Sequence, residues 1–306
     1  MSRFTDEYKI KYEGCLKRVQ KPARYIGNEF GSVHKKWSDD MLTFAFCFPD
    51  VYEVGMSHLG MKILYHMLNE REDTVCERVF APWDDMEQEM RKEGIPLLSM
   101  ESYVPVKNFD FIGFTLQYEM SYSNIVNMLD LAGVPLRTAE RTAGDPFVCC
   151  GGPCAYHAEP LSDLVDFFIL GEGEEVNSEI MDVYKEWKNS GSTDRDDFLM
   201  SIIPLGGVYV PKFYDVEYND DNTISRFEPN REGVPKQVRK RIILNMDNTY
   251  VPKKLIVPFM ETVHDRIMLE LFRGCIRGCR FCQAGYIYRP VRERSVDKLV
   301  ETAGEC

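Results

Sequence analysis

Three cysteines stand close together near the carboxyl end of the chain: Cys275, Cys279 and Cys282, in the spacing Cys-x3-Cys-x2-Cys. Three thiolates on so short a loop can converge on one metal centre. Gly274 and Gly278 give the backbone the freedom such a wrap needs. Arg273, Arg277 and Arg280 set positive charge beside the thiols, which favours the anionic, ligating form. Three soft donors do not name a metal. Structural zinc sites ordinarily take four ligands, and no second pair follows here. A cubane of four irons held by three cysteines keeps one iron open to a substrate. Cys149, Cys150 and Cys154 surround a glycine pair and read as the small residues of a tight turn rather than a second centre. Cys15, Cys47, Cys76 and Cys306 stand alone and read as incidental thiols. Ten cysteines in 306 residues are too sparse for a disulfide scaffold.

The elements that must position these residues follow from apolar patterning. Residues 266–272 read as a strand leading into the cysteine loop. Ser295 reads as the cap of a helix with Val296, Leu299 and Val300 inward. Upstream, residues 41–48 form an apolar run stopped by Pro49, the pattern of a strand buried on both faces. Leu59, Ile63, Leu64, Met67 and Leu68 share a helical face. The alternation repeats with strands over 109–116, 147–150 and 165–170 and helices over 122–132 and 176–187. Strand and helix alternating in this way predict an α/β fold with a doubly wound, Rossmann-like parallel sheet. Such sheets bind ligands beyond the carboxyl ends of their strands. Gly151, Gly152, Gly171 and Gly173 fall at those ends, as ligand loops or as plain structural turns. Residues 189–197 read as a linker, and a hairpin is expected around Asn219–Asn222. The basic stretch 235–254 (Lys236, Arg239, Lys240, Arg241, Lys253, Lys254) faces phosphate or is a solvated connector. The expected organisation is a leader (1–40), a sheet domain (41–188), a linker with the hairpin (189–262) and the start of a further domain (263–306).

The length suggests about two domains at roughly 100–200 residues each. Apolar residues make up 44% and charged residues 28%, which argues against disorder, and the net charge of −12 argues against general nucleic-acid binding. No run of eighteen apolar residues indicates a membrane span or membrane partner, and the first residues are polar, so a cytoplasmic location is expected. A dinucleotide fingerprint fails because Val176 takes the third glycine position and Glu172, Glu174 and Glu175 would repel a pyrophosphate. No nucleophile elbow or P-loop is present.

The segment Cys275-x3-Cys279-x-Phe281-Cys282, with an aromatic before the last cysteine, resembles the signature loop of the radical S-adenosylmethionine (radical SAM) enzymes. Gln283-Ala284-Gly285 and Tyr288–Ser295 resemble one branch, which carries a cobalamin (B12)-binding-like domain ahead of the radical domain. Pro22–Gly27, Tyr52–Gly60, Gly151-Gly152-Pro153 and Gly171–Glu174 resemble that branch too. The resemblance implies that Cys275, Cys279 and Cys282 hold three irons of a [4Fe–4S] cluster. The fourth iron would bind S-adenosylmethionine, and an electron from a donor such as flavodoxin or ferredoxin would break a C–S bond to give a 5′-deoxyadenosyl radical. Phe281 would lie on the adenine side of the loop. Thr115, Gly151, Gly152, Gly171 and Gly173 would line cobalamin, if that cofactor binds. The Asp-x-His-x-x-Gly cobalt-ligand pattern is broken at Met56–Gly60, so His58 reads as a helix-start residue. Residues 263–306 would be the first β/α element of a partial barrel, so the chain resembles an incomplete enzyme, inactive alone. Relatives of this type methylate, methylthiolate or rearrange diverse molecules, and the basic stretch admits an RNA substrate. The alternative is a non-catalytic cobalamin- or cluster-binding module.

Overall fold

A computed structural model describes residues 6–38, 40–264 and 266–305; Met1–Thr5 and the lone thiol Cys306 lie outside them. The chain opens with α1 (Asp6–Cys15), and the apolar run then forms β1 (Leu42–Phe48), buried along its whole length. A short turn α2 (Tyr52–Gly55) leads to α3 (Leu59–Glu70), β2 (Thr74–Phe80) and α4 (Asp84–Glu93). Next come β3 (Phe111–Thr115), α5 (Tyr122–Ala132), β4 (Phe147–Gly151), β5 (Phe167–Ile169) and α6 (Gly173–Ser190). The sheet order is β2-β1-β3-β4-β5, all parallel. β6 (Val208–Tyr209) adds an antiparallel edge beside β5. This is the expected doubly wound sheet. Its strand order reverses between β1 and β3, where such folds open a crevice.

β2 is absent from the sequence reading because Glu77 and Arg78 interrupt its apolar pattern. Every β2 residue is nevertheless buried. Arg78, with a side chain only 1% exposed, pairs with Glu29 at 2.7 Å and with Glu101 at 2.6 Å. The Tyr52 hydroxyl donates to Glu29 at 2.8 Å. Charges can sit in a core when paired and hydrogen-bonded this closely.

The segment expected as a linker over 189–197 is mostly helical. α6 runs to Ser190, Gly191 caps it, and α7 (Arg195–Ile202) starts with Asp194 accepting the Asp196 N–H at 2.8 Å. The polar residues mark two helix ends rather than a loose connector. Phe198 of α7 packs among Phe111, Phe147, Tyr184 and Trp187, with ring centroids 4.5–5.8 Å away. The hairpin forms as β7 (Tyr214–Tyr218) and β8 (Ile224–Pro229).

The strand expected over 266–272 shrinks to β9 (Phe272–Arg273). It pairs antiparallel with β10 (Arg292–Glu293), and α8 (Ala284–Ile287) lies between them. Ile267 and Leu271 remain exposed: only a two-residue ladder supports this segment, too little to extend the strand. Ser295 caps α9 (Val296–Glu305) by accepting the Lys298 N–H at 3.2 Å, but Val296 and Val300 face outward, not inward as expected.

Candidate functional site

A cleft of about 450 Å³ lies at the carboxyl ends of the parallel strands. Thr115, Gly151, Gly152, Gly171 and Gly173, the loop positions singled out from sequence, all line it. Thr115 ends β3 and its hydroxyl accepts from the Gln117 side chain at 2.6 Å. The turn after β4 is pinned from both sides: Leu116 N–H donates to Gly151 O at 2.7 Å, and Cys154 N–H donates to Leu116 O at 3.1 Å. The opposite wall comes from far along the chain, with Phe272, Gly274, Tyr288 and Arg292 among its residues.

His58 lines the cleft as the N-cap of α3, its Nδ1 accepting the Met61 N–H at 3.1 Å. Burial lowers its pKa, so the ring is neutral. A ring with Nδ1 engaged in this way carries its proton on Nε2, which leaves no free lone pair for a metal. Tyr156 also lines the cleft, and its hydroxyl is buried with no hydrogen-bond partner among the described residues. Burial raises that phenol to about 12. No periodic pattern marks Tyr156; its signal is position alone, four residues past the glycine pair.

Cys149 and Cys150 border the cleft as buried thiols, pushed well above the ordinary range by burial. Cys154 is raised to about 11, again mainly by burial. Protonated thiols of this kind are poor metal ligands.

The cysteine loop leaves the cleft at Gly274. That residue has φ +103°, and a Cβ there would lie 2.6 Å from Pro290 O, so the return strand passes against bare backbone. Cys279 is exposed and Cys275 and Cys282 are half-buried; all three are free. Cys282 N–H donates to Cys279 O at 3.0 Å, folding the second half of the loop into a turn. Among the described residues no three His, Cys, Asp or Glu side chains are gathered as a ligand set, so the thiols stand apart. Their chemistry still fits an iron–sulfur cluster: soft donors, reachable from solvent and unbridged. Phe281 is 93% exposed and lines no part of the cleft.

Arg273 does not serve the thiols as the sequence suggested. Its guanidinium donates to Glu270 at 2.7 Å and Glu174 at 2.5 Å, which hold it charged against the opposing effect of burial. Lys240 and Arg241 are likewise engaged within the chain. Lys240 donates to Ile287 O at 2.6 Å and Arg289 O at 2.5 Å, and Arg241 pairs with Glu179 at 2.7 Å.

Residues 60–211 match the family described as radical SAM proteins, N-terminal. That stretch, just under half of the chain, is similar to the amino-terminal domain of radical SAM proteins. An uncharacterised protein of Methanocaldococcus jannaschii is 24% identical over 262 residues, covering 85% of this chain and 45% of the relative. The cobalamin-dependent S-adenosylmethionine radical enzyme OxsB, solved with aqua-cobalamin and S-adenosylmethionine bound, aligns at TM-score 0.48 and 12% identity. That alignment covers 87% of this chain and 31% of the solved one. The chain thus spans less than half the length of either. Among the described residues no helix is long and apolar enough to cross a membrane.

Proposed function

We propose that this chain is the cofactor-binding amino-terminal part of a radical SAM enzyme. Cys275, Cys279 and Cys282 hold a [4Fe–4S] cluster, and the cleft receives the tail of a cobalamin. When bound, such a cluster supplies the electron that splits S-adenosylmethionine to a 5′-deoxyadenosyl radical, while the protein positions the reactants and excludes water. The observation that carries the reading is the junction at Gly274, where the cysteine loop begins on the rim of the cleft that all five predicted loop residues line. Binding requires the three thiols to turn toward a common point. Thr115 and Tyr156 offer polar contacts to a ligand lodged against the glycine turn, and His58, occupied as a helix cap, points to cobalamin held without a protein ligand to cobalt.

Methyl or methylthio transfer is the proposed use, with a flavodoxin or ferredoxin as electron donor. Of the basic stretch 235–254, Lys240 and Arg241 are tied to the chain's own groups, while Arg239 and Lys254 stay exposed, and an RNA substrate is kept as a second reading. The chain spans 45% of the curated relative, so we expect it to bind the cluster without turning over S-adenosylmethionine by itself.

Anaerobic reconstitution with iron and sulfide tests the reading. A reduced [4Fe–4S] EPR signal that changes on adding S-adenosylmethionine is expected, and the Cys275→Ala/Cys279→Ala/Cys282→Ala variant should lose it. A signal indifferent to S-adenosylmethionine would instead indicate a cluster or zinc site without an open position. Hydroxocobalamin should co-elute with the chain on gel filtration; free elution would remove the second cofactor from the proposal.

A further inference from the structure

We propose that Glu172 and Glu174 are positioning residues that clamp the base of the cysteine loop onto the carboxyl edge of the sheet. The pattern Gly171-Glu172-Gly173-Glu174 suggests a ligand loop, but the geometry gives its carboxylates other partners. Glu172 Oε1 accepts from Arg292 Nη1 at 2.5 Å and stands 3.6 Å from Arg273 Nη1; its Oε2 accepts the Ile243 N–H at 2.5 Å. Glu174 Oε1 accepts from Arg273 Nη2 at 2.5 Å.

Arg273 belongs to β9 and Arg292 to β10, so one turn of the sheet domain grips both strands of the ribbon that ends in the cysteine loop. Arg273 lies two positions before Cys275. The four charged side chains are at most 15% exposed, which makes the pairs strong and directional. The turn itself cannot shift freely. Gly171 has φ +101°, and a Cβ there would lie 2.2 Å from Arg241 O, while Glu172 N–H donates to that same oxygen at 3.1 Å. Two further ties lie along the loop: Gln283 meets His157, and Lys240 reaches Ile287 O and Arg289 O. Without Glu174, Arg273 keeps Glu270 on its own segment but loses its shortest tie to the sheet, and without Glu172, Arg292 is left with the carbonyls of Pro290 and Ile243, so the ribbon loosens.

The inference takes from the proposed function only the purpose of the loop, and its test needs no iron. Hydrogen–deuterium exchange on the full, metal-free chain should show amides in 270–294 exchanging roughly tenfold faster in Glu172→Gln and Glu174→Gln, with β1 and β3 unchanged. Arg273→Gln should have the same effect, and Glu174→Gln combined with Arg273→Gln should add little to it, because the two act as a pair. Unchanged exchange in both Glu variants, or fully additive effects in the double variant, would overturn the clamp. After reconstitution, Glu174→Gln should keep its iron content while its EPR response to S-adenosylmethionine weakens; a full response at equal iron content would show that the clamp does not position the loop. A wild-type chain that assembles no cluster would count against the proposed function and leave the exchange result standing.

Discussion

Tyr156 has a hydroxyl in the cleft with no partner among the described residues, although buried polar groups are almost always satisfied. A ligand carrying an acceptor at that point would gain a hydrogen bond worth about 1 kcal/mol. Tyr156→Phe should therefore weaken cobalamin binding by roughly fivefold, read by visible absorbance titration, and leave thermal stability unchanged or slightly raised. Equal affinity in the two proteins would take Tyr156 out of the site. His58 makes the opposite case, because its ring nitrogen is already occupied. His58→Asn keeps a capping side chain and should leave the spectrum of bound cobalamin unaltered, since no cobalt bond is lost. A shift in that spectrum would reveal a ligand role that the capping bond argues against.

At the scale of elements, β2 and α7 carry the strongest stability expectations. Glu77 lies buried in β2, accepting from Trp37 at 3.0 Å and Ser102 at 2.6 Å. Burial, then the nearby Glu101 charge, push its carboxyl up to about 7. A carboxyl raised in the folded state is most favourable while protonated. Its contribution is full below the ordinary carboxylate pKa and disappears as pH rises through about 7. Chemical unfolding at pH 5 and pH 8 should show Glu77→Gln gaining on the wild type by about 2–3 kcal/mol across that interval. A constant difference between the two proteins would mean that Glu77 titrates normally. Phe198, fully buried on α7, should cost about 3–5 kcal/mol as Phe198→Ala in denaturant unfolding. A loss near zero would mean that α7 is not part of the core. Both elements were hard to read from sequence, for different reasons. β2 hides its burial behind Glu77 and Arg78, whose partners (Trp37 and Ser102 for Glu77, Glu29 and Glu101 for Arg78) lie in other parts of the chain. α7 begins inside a polar stretch whose residues are helix caps.

For the whole molecule, legibility follows the range of the forces involved. The parallel sheet was readable because β1, β3, β4 and β5 are apolar runs, and burial on both faces leaves that local mark. The cysteine loop was readable because its spacing is itself the signal. The joining of the two was not: Glu174 and Arg273 are far apart in sequence, and no periodicity links them. Hence the sequence marks the glycine–glutamate turn only as a cleft-lining loop, whereas its carboxylates also hold Arg273 and Arg292.

The distribution of sulfur has one more consequence. Cys15, Cys47, Cys76, Cys149, Cys150 and Cys154 are sealed inside, while Cys275, Cys279 and Cys282 face water to differing degrees. An alkylating dye added to the native protein should mark the loop within minutes and leave the interior dark until denaturant is present. Assembly of the inorganic centre would then be visible as protection of the same three positions, a footprint that can be followed by mass spectrometry without trapping a radical.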